Sequence, residues 1–192
     1  MNPFIFYPGQ TQIDQFLQEQ AHFPIAYSEV GQSADDFPPN YDHDSNEILL
    51  GEGPLVFSAA KAALRKWDMF PYPWTRIYPQ KASIEEGKNV AVLIRLFGLW
   101  WLNASRIVYT IEQDNHYGFA YGTLPGHFER GEECFSVRQD KDGKVWYQIK
   151  AFSRPGHWLI RLGYPVARYF QRRFVRDSMA QMVQATSDET TN

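Results

Sequence analysis

The chain has a single cysteine, Cys134, among its 192 residues. One thiol excludes an internal disulfide framework and a zinc site built on several cysteines. Residues 1–60 contain no lysine or arginine. The opening MNPFIFYPGQ therefore lacks the basic start of a secretory signal, and it lacks a clean apolar stretch as well. Long hydrophobic runs are also missing. The most apolar stretch, Val90–Leu102, is broken by Arg95 and Gly98 and falls short of the roughly 20 residues that a spanning helix needs. These absences predict a soluble, reduced, cytoplasmic protein. A nucleic-acid partner is not expected, because the isoelectric point is near 5.9 and no basic-aromatic recognition motif occurs. No motif identifies a reaction, and no cofactor or metal is expected.

Aromatic residues, in contrast, are plentiful: 14 Phe, 11 Tyr and 6 Trp make up 16% of the chain. Such rings bury large areas, so they predict a bulky core or the lining of a cavity. Charge is unevenly spread. Residues 1–60 carry nine acids and no base, giving -9, while the remainder has 19 bases and 13 acids, giving +6; together they make the net -3. Either the acidic third lies against the basic part, or the two are solvated surfaces that never meet.

Periodicity gives the elements. Thr11–Phe23 reads as a short helix stopped by Pro24, with Thr11 as its cap, and Ile25–Val30 as a strand. Gly31–Ser45 reads as a long polar loop. Pro54 suits the first position of a helix whose apolar face includes Leu55, Ala62, Ala63 and Trp67. From Trp74 on, strands follow: Trp74–Pro79, Val90–Phe97, Arg106–Glu112, His116–Leu124, Glu133–Arg138 and Lys144–Ser153, the last two joined by Lys141-Asp142-Gly143. Their spacing leaves no room for crossover helices, so the sheet is antiparallel. Gly118, Ala120 and Gly122 alternate with Tyr117, Phe119 and Tyr121, so something is expected to pack close to that backbone. Pro155–Gln184 is a helix with a break or start at Pro165. Leu159, Leu162, Val166, Tyr169, Phe170 and Phe174 share one face; Arg161, Arg168, Arg172 and Arg176 form a separate stripe. The whole is one α+β domain, residues 1–192: a helical extension at 1–22, a core at 23–184 and a disordered polar tail at 185–192.

The run GFAYGTLPGHFERGEECF at 118–135, with LGEGPLVFSAAKAALRKW upstream and IKAFSRPGHWLIRLGYP downstream, resembles the bacterial and plant domain of unknown function numbered 1990, also grouped as uncharacterised protein family 0548. The resemblance covers roughly residues 23–180. It implies a helix-grip fold like the birch-pollen-allergen and START-like (SRPBCC) proteins, in which a curved antiparallel sheet wraps a long C-terminal helix and encloses an apolar cavity. It brings no established reaction.

Tyr121–Glu133 is the most unusual stretch. His127 stands near Glu129, Glu132 and Glu133, and a His beside carboxylates can serve as a general base with a raised pKa or bind a metal, though one His with several Glu makes a poor transition-metal set; the same groups can instead fix a loop. Arg106, Ser153 and Arg154 are candidate anchors for an anionic group, or partners of the acidic third. Tyr109, Tyr117, Phe119, Tyr121, Trp146 and Tyr147 are candidate cavity-lining rings, or plain core. The arginine stripe is either a solvated face or a dock for an anionic membrane surface or acidic partner. Three functions stay open: binding of a small hydrophobic or amphipathic ligand, acid–base catalysis by His127 with Glu129 or Glu133, and an interaction module using the basic helix.

Overall fold

The computed structural model describes residues 3–156 and 163–191. Seven strands form one sheet: β1 (Asp42–Glu52), β2 (Thr75–Tyr78), β3 (Asn89–Leu96), β4 (Leu99–Gln113), β5 (His116–Thr123), β6 (Glu129–Gln139) and β7 (Lys144–Pro155). Their order is β1-β7-β6-β5-β4-β3-β2, and every pairing is antiparallel. From β2 to β7 each strand pairs with the next, while β1 closes on β7 at the opposite edge. Helix α2 (Pro54–Arg65) carries the chain back across the concave face, and α3 (Tyr164–Thr191) packs beside it. Helix α1 (Gln10–Ala21) covers the other face over β3 and β4. Bulges between Leu49 and Gly51 in β1, and between Ile107 and Tyr109 in β4, add bend to the strands. A curved antiparallel sheet thus wraps a long C-terminal helix, the α+β helix-grip arrangement.

Local chemistry accounts for the ends of α2. Gly53, at φ 92°, turns the chain, and Pro54 occupies the first helical position, where its missing N–H costs nothing. The helix stops because Trp67 adopts a left-handed φ of 63°. The Trp67 N–H then bonds the Leu64 carbonyl and the Asp68 N–H that of Ala63, a closure usually given to glycine. A left-handed φ costs a side-chain-bearing residue about 1–2 kcal/mol. Burial of the indole and a 2.9 Å bond from its Nε1 to the Ala82 carbonyl offset that cost. Trp67 therefore follows the helix rather than standing on its face.

Along β5, Tyr117, Phe119 and Tyr121 point to the concave face, and Gly118, Ala120 and Gly122 to the convex one. What packs on those small residues is the chain itself. A Cβ on Gly122 would stand 2.2 Å from the Tyr27 hydroxyl. The strand predicted at Ile25–Val30 does not form. Among the described residues one backbone bond, Ala26 N–H to the Thr123 carbonyl, ties the segment to the sheet, and Tyr27 turns inward to bond Glu132 of β6. The predicted Gly31–Ser45 loop is also shorter than its composition suggests, because β1 begins at Asp42. Gly9, not Thr11, precedes α1, with its N–H held by the Gln12 side chain.

Pro165 lies in the first turn of α3, as a helix start requires. The inward face of α3 carries Phe174, Ser178 and Met182, whereas Val166 and Tyr169 are exposed, contrary to expectation. The polar stretch from 185 continues the helix to Thr191, and buried Thr186 bonds the Met182 carbonyl. Leu159, Arg161 and Leu162 lie outside the described residues. Among the described residues no helix is long and apolar enough to cross a membrane.

The main core joins α2 and the C-terminal half of α3 to β5–β7 through Leu64, Trp67, Phe119, Phe135, Tyr147 and Met182. A smaller one sets Ile13 of α1 against Leu93, Trp100 and Leu102.

Candidate functional site

Beneath the first turns of α3 the concave face is not filled. A cavity of about 500 Å³ lies there. Alternation on β3 and β4 turns Val92, Ile94 and Trp101 toward it, and Trp74, Phe128 and Phe170 complete an apolar wall. The rings meet edge to face: Trp101 and Phe128 at 5.2 Å, Phe97 and Phe170 at 5.7 Å. Phe97 and Gly98 form the two-residue turn between β3 and β4, both at positive φ (52° and 81°). Phe97 is 79% exposed at the mouth, in a conformation that costs a bulky residue energy.

One end of the cavity is polar. β6 presents Glu129 and Glu133 from the same face. Tyr121, opposite Glu133 in register, donates its hydroxyl to Glu133 Oε2 at 2.6 Å. Burial pushes the Glu133 carboxyl up to about 7; the Tyr121 bond pulls it part of the way back, and the neighbouring Glu129 adds to the rise. Burial also raises Glu129, against the pull of Gln171 and Arg168. Gln171 Nε2 donates to Glu129 Oε1 at 2.5 Å and to Ser153 Oγ at 3.2 Å, and its Oε1 accepts from Arg168 at 2.7 Å. Arg168 grips Asp44 with two bonds, of 2.6 and 2.8 Å. A polar chain thereby links β1, β6 and β7 to α3.

His127 also lines the cavity, but its electrostatics reverse the expectation. Its Nδ1 accepts the Glu129 backbone N–H at 3.0 Å, and among the described residues no carboxylate bonds the ring. Burial pushes it down to about 4, so the imidazole is neutral at pH 7 and poorly suited to take a proton there. The group that titrates near neutrality is Glu133.

Other candidates separate. Tyr121 and Ser153 line the cavity. Phe119 and Tyr147 lie in the closed core, the latter bonded to Ser178 at 2.9 Å. Tyr117 packs under Lys61 and Arg65, whose charges sit 4.9 and 5.0 Å from its ring. Tyr109 faces the convex side, where its hydroxyl meets Ser33 Oγ at 2.8 Å. Trp146 bonds Asp140 instead of lining anything. Arg106 is held by the Asn89 side chain and the Ala21 carbonyl, and Arg154 lies 4.7 Å over the Tyr41 ring at a surface groove. Both meet the N-terminal third, though through a carbonyl and a ring rather than a carboxylate.

The arginine stripe is not a free row. Arg168 is taken by Asp44, Arg176 bonds Asp177 together with Arg173, and Arg172 is exposed. Arg161 lies outside the described residues. The acidic third does touch the basic part, through Arg168–Asp44 and Arg138–Glu47.

Many cavity residues carried no signal strong enough to be singled out in the sequence, among them Asp44, Trp74, Trp101, Phe128 and Gln171. Phe128 sits inside the unusual stretch and Trp101 in a Trp pair, which were the clues available. Cys134 is buried and free, its thiol pushed up to about 11 by burial. Among the described residues no group of three or more His, Cys, Asp and Glu is arranged to hold a metal.

Solved structures of similar fold include the following two. A hypothetical protein from Helicobacter pylori superposes with a TM-score of 0.57 at 10% identity, over 85% of this chain and 96% of the other. The ZhuI aromatase/cyclase from Streptomyces sp. R1128 does so with 0.52 at 12% identity, over 79% and 96%. Such identities speak to fold alone. In sequence, a UPF0548 protein from Dictyostelium discoideum is 36% identical over 200 residues, 93% of each chain. One from Deinococcus radiodurans is 34% identical over 190 residues, 93% of this chain and 96% of its own. The model of the domain of unknown function DUF1990 matches residues 26–181, and the chain belongs to that family.

Proposed function

We propose that the protein binds a small amphipathic molecule between the sheet and α3. The apolar body would lie against Trp74, Trp101, Phe128 and Phe170, with its polar end at Glu129 and Glu133. One observation carries this reading: an apolar cavity of about 500 Å³ whose carboxyl groups, among the described residues, come from β1 and β6. That volume suits a small organic ligand, and pockets of this kind are mostly apolar with a few placed polar groups. Native mass spectrometry of the purified protein, with organic extraction, tests it. The expected result is a bound mass of a few hundred daltons or uptake of an added apolar probe. An apo mass that takes up no probe overturns it.

A second reading, acid–base catalysis on the bound molecule, is favoured by Glu133 titrating near neutrality beside Tyr121. The proton donor and acceptor is then Glu133, not His127. Once the ligand is extracted, its turnover by wild type and by Glu133→Gln separates binding from catalysis. A row of free cations for an interaction module has less support, because Arg168, Arg173 and Arg176 already hold acidic partners.

A further inference from the structure

The polar end of the cavity has unequal charge. Four acids line it among the described residues, Asp44, Glu129, Glu132 and Glu133. The Glu132 carboxylate is taken on the convex face by Tyr27, Gly31 and Ser33, and Arg168 stands beside the other three, paired with Asp44. Both terminal nitrogens of Arg168 are engaged by Asp44, and one of them also by Gln171. Among the described residues no ion pair reaches Glu129 or Glu133; their hydrogen bonds come from uncharged donors, Gln171 and Tyr121. The side-chain hydrogen bonds found for the two carboxylates among the described residues use one oxygen of each, Glu129 Oε1 and Glu133 Oε2. The other titratable groups in the field of Glu133 are the Asp44 carboxyl, which also raises it, and two neutral groups, Tyr147 from β7 and the Cys134 thiol; His127, neutral, lines the same cavity. The apolar wall that shields this end from water is what makes unpaired negative charge costly there.

We infer that the ligand is an organic cation, a protonated amine on an apolar body, with its ammonium seated between Glu129 and Glu133. The inference rests on the cavity being a binding site. An ammonium brings three donors and one positive charge, which match the carboxylate acceptors and the missing counter-charge. A carboxylate ligand would meet like charge, and an alcohol would supply a single donor. Glu133 is partly protonated at pH 7 when the cavity is empty. The arriving cation favours its ionised form, so the Glu133 carboxyl gives up its proton to the buffer as the amine binds. No other bond is made or broken.

Calorimetric titration at pH 7 with octylamine, octanol and octanoate compares three head groups on one apolar body. The amine is expected to bind about tenfold or more tighter than the alcohol, with the carboxylate weakest. Its apparent enthalpy should vary with the ionisation heat of the buffer in the sense of proton release. In Glu129→Gln/Glu133→Gln the preference should fall to within about threefold while octanol still binds. Equal affinity for all three, or tightest binding of octanoate, overturns the cation inference and leaves the cavity reading standing. Failure of all three to bind overturns both. Should the double variant not fold, amine binding to wild type without proton release still counts against the inference.

Discussion

The Tyr27 hydroxyl reaches Glu132 Oε2 at 2.6 Å by passing over the bare α-carbon of Gly122, the residue paired with Glu132 across β5 and β6. The same buried carboxylate accepts the N–H of Gly31 and Ser33 at 2.8 and 3.0 Å, and the Ser33 hydroxyl at 2.5 Å. One side chain thereby gathers four of the bonds that fasten a strandless segment to the convex face.

Gly122→Ala should cost about 2 kcal/mol or more, because the new methyl group displaces the Tyr27 ring. Glu132→Gln should cost about 3 kcal/mol, since its amide turns one acceptor into a donor that faces other donors. Urea unfolding measures both. Combined with Tyr27→Phe, Gly122→Ala should cost less than the sum of the singles. Strict additivity would mean that the phenol and the glycine are not coupled.

Stability should respond to pH through Glu133 and His127 with opposite signs. The folded value of Glu133, about 7, lies above its ordinary 4.5. Its contribution is therefore complete below pH 4.5 and lost as pH rises through 7. The folded value of His127, about 4, lies below its ordinary 6.5, so its contribution is complete above pH 6.5 and lost as pH falls through 4. From 4.5 to 6.5 the two slopes oppose each other. Glu133→Gln should gain on wild type by about 3 kcal/mol between pH 4.5 and 8. Parallel profiles for wild type and variant would refute this account. Tyr121→Phe should raise the Glu133 titration further, as read by carboxyl NMR, because the lost bond favoured the ionised form.

Phe97→Asn should trade function for stability. Asn tolerates the positive φ that the Phe97-Gly98 turn demands, so the fold should gain about 1 kcal/mol by thermal unfolding. The same change removes a ring from the cavity mouth beside Phe170, and binding of the octyl probes should weaken severalfold. A stabilised variant with unchanged affinity would show that Phe97 has no part in binding.

Arg168→Met keeps most of the side chain's apolar length and removes its charge. It leaves Asp44 unpaired near Glu129 and should destabilise the protein by about 2–3 kcal/mol, more at pH 8 than at pH 5. Circular dichroism melts at the two pH values test both the size and the direction.

Much of this was legible in the sequence, because local patterns carry it. The strands from β2 on, α2 with Pro54 at its start, and the turn into α3 at Pro165 follow from periodicity and turn residues. Within the Tyr121–Glu133 stretch, Tyr121, His127, Glu129 and Glu133 line the cavity. The misplacements have physical causes. Ile107 and Tyr109 share parity, yet the bulge between them puts Ile107 opposite Tyr121 and Tyr109 opposite Ala120, so Tyr109 leaves by the other face. Tyr117, Phe119, Tyr121 and Tyr147 read alike; only the position of α2 decides which of them is walled in. The Arg168–Asp44 pair spans 124 positions, and no local rule reaches that far. His127 shows the same limit in electrostatics: its neighbours in sequence are acids, but its neighbour in space is a backbone N–H.

The placement of β1 gives the acidic first third another use. β1 is an edge strand, with β7 on one side and, among the described residues, no strand on the other, the side on which an extended chain could pair. That strand bears Asp42, Asp44, Glu47 and Glu52. A second copy docking there edge to edge would set these acids against their own kind, so the same composition that supplies a counter-ion for Arg168 also discourages the sheet from growing into its neighbour.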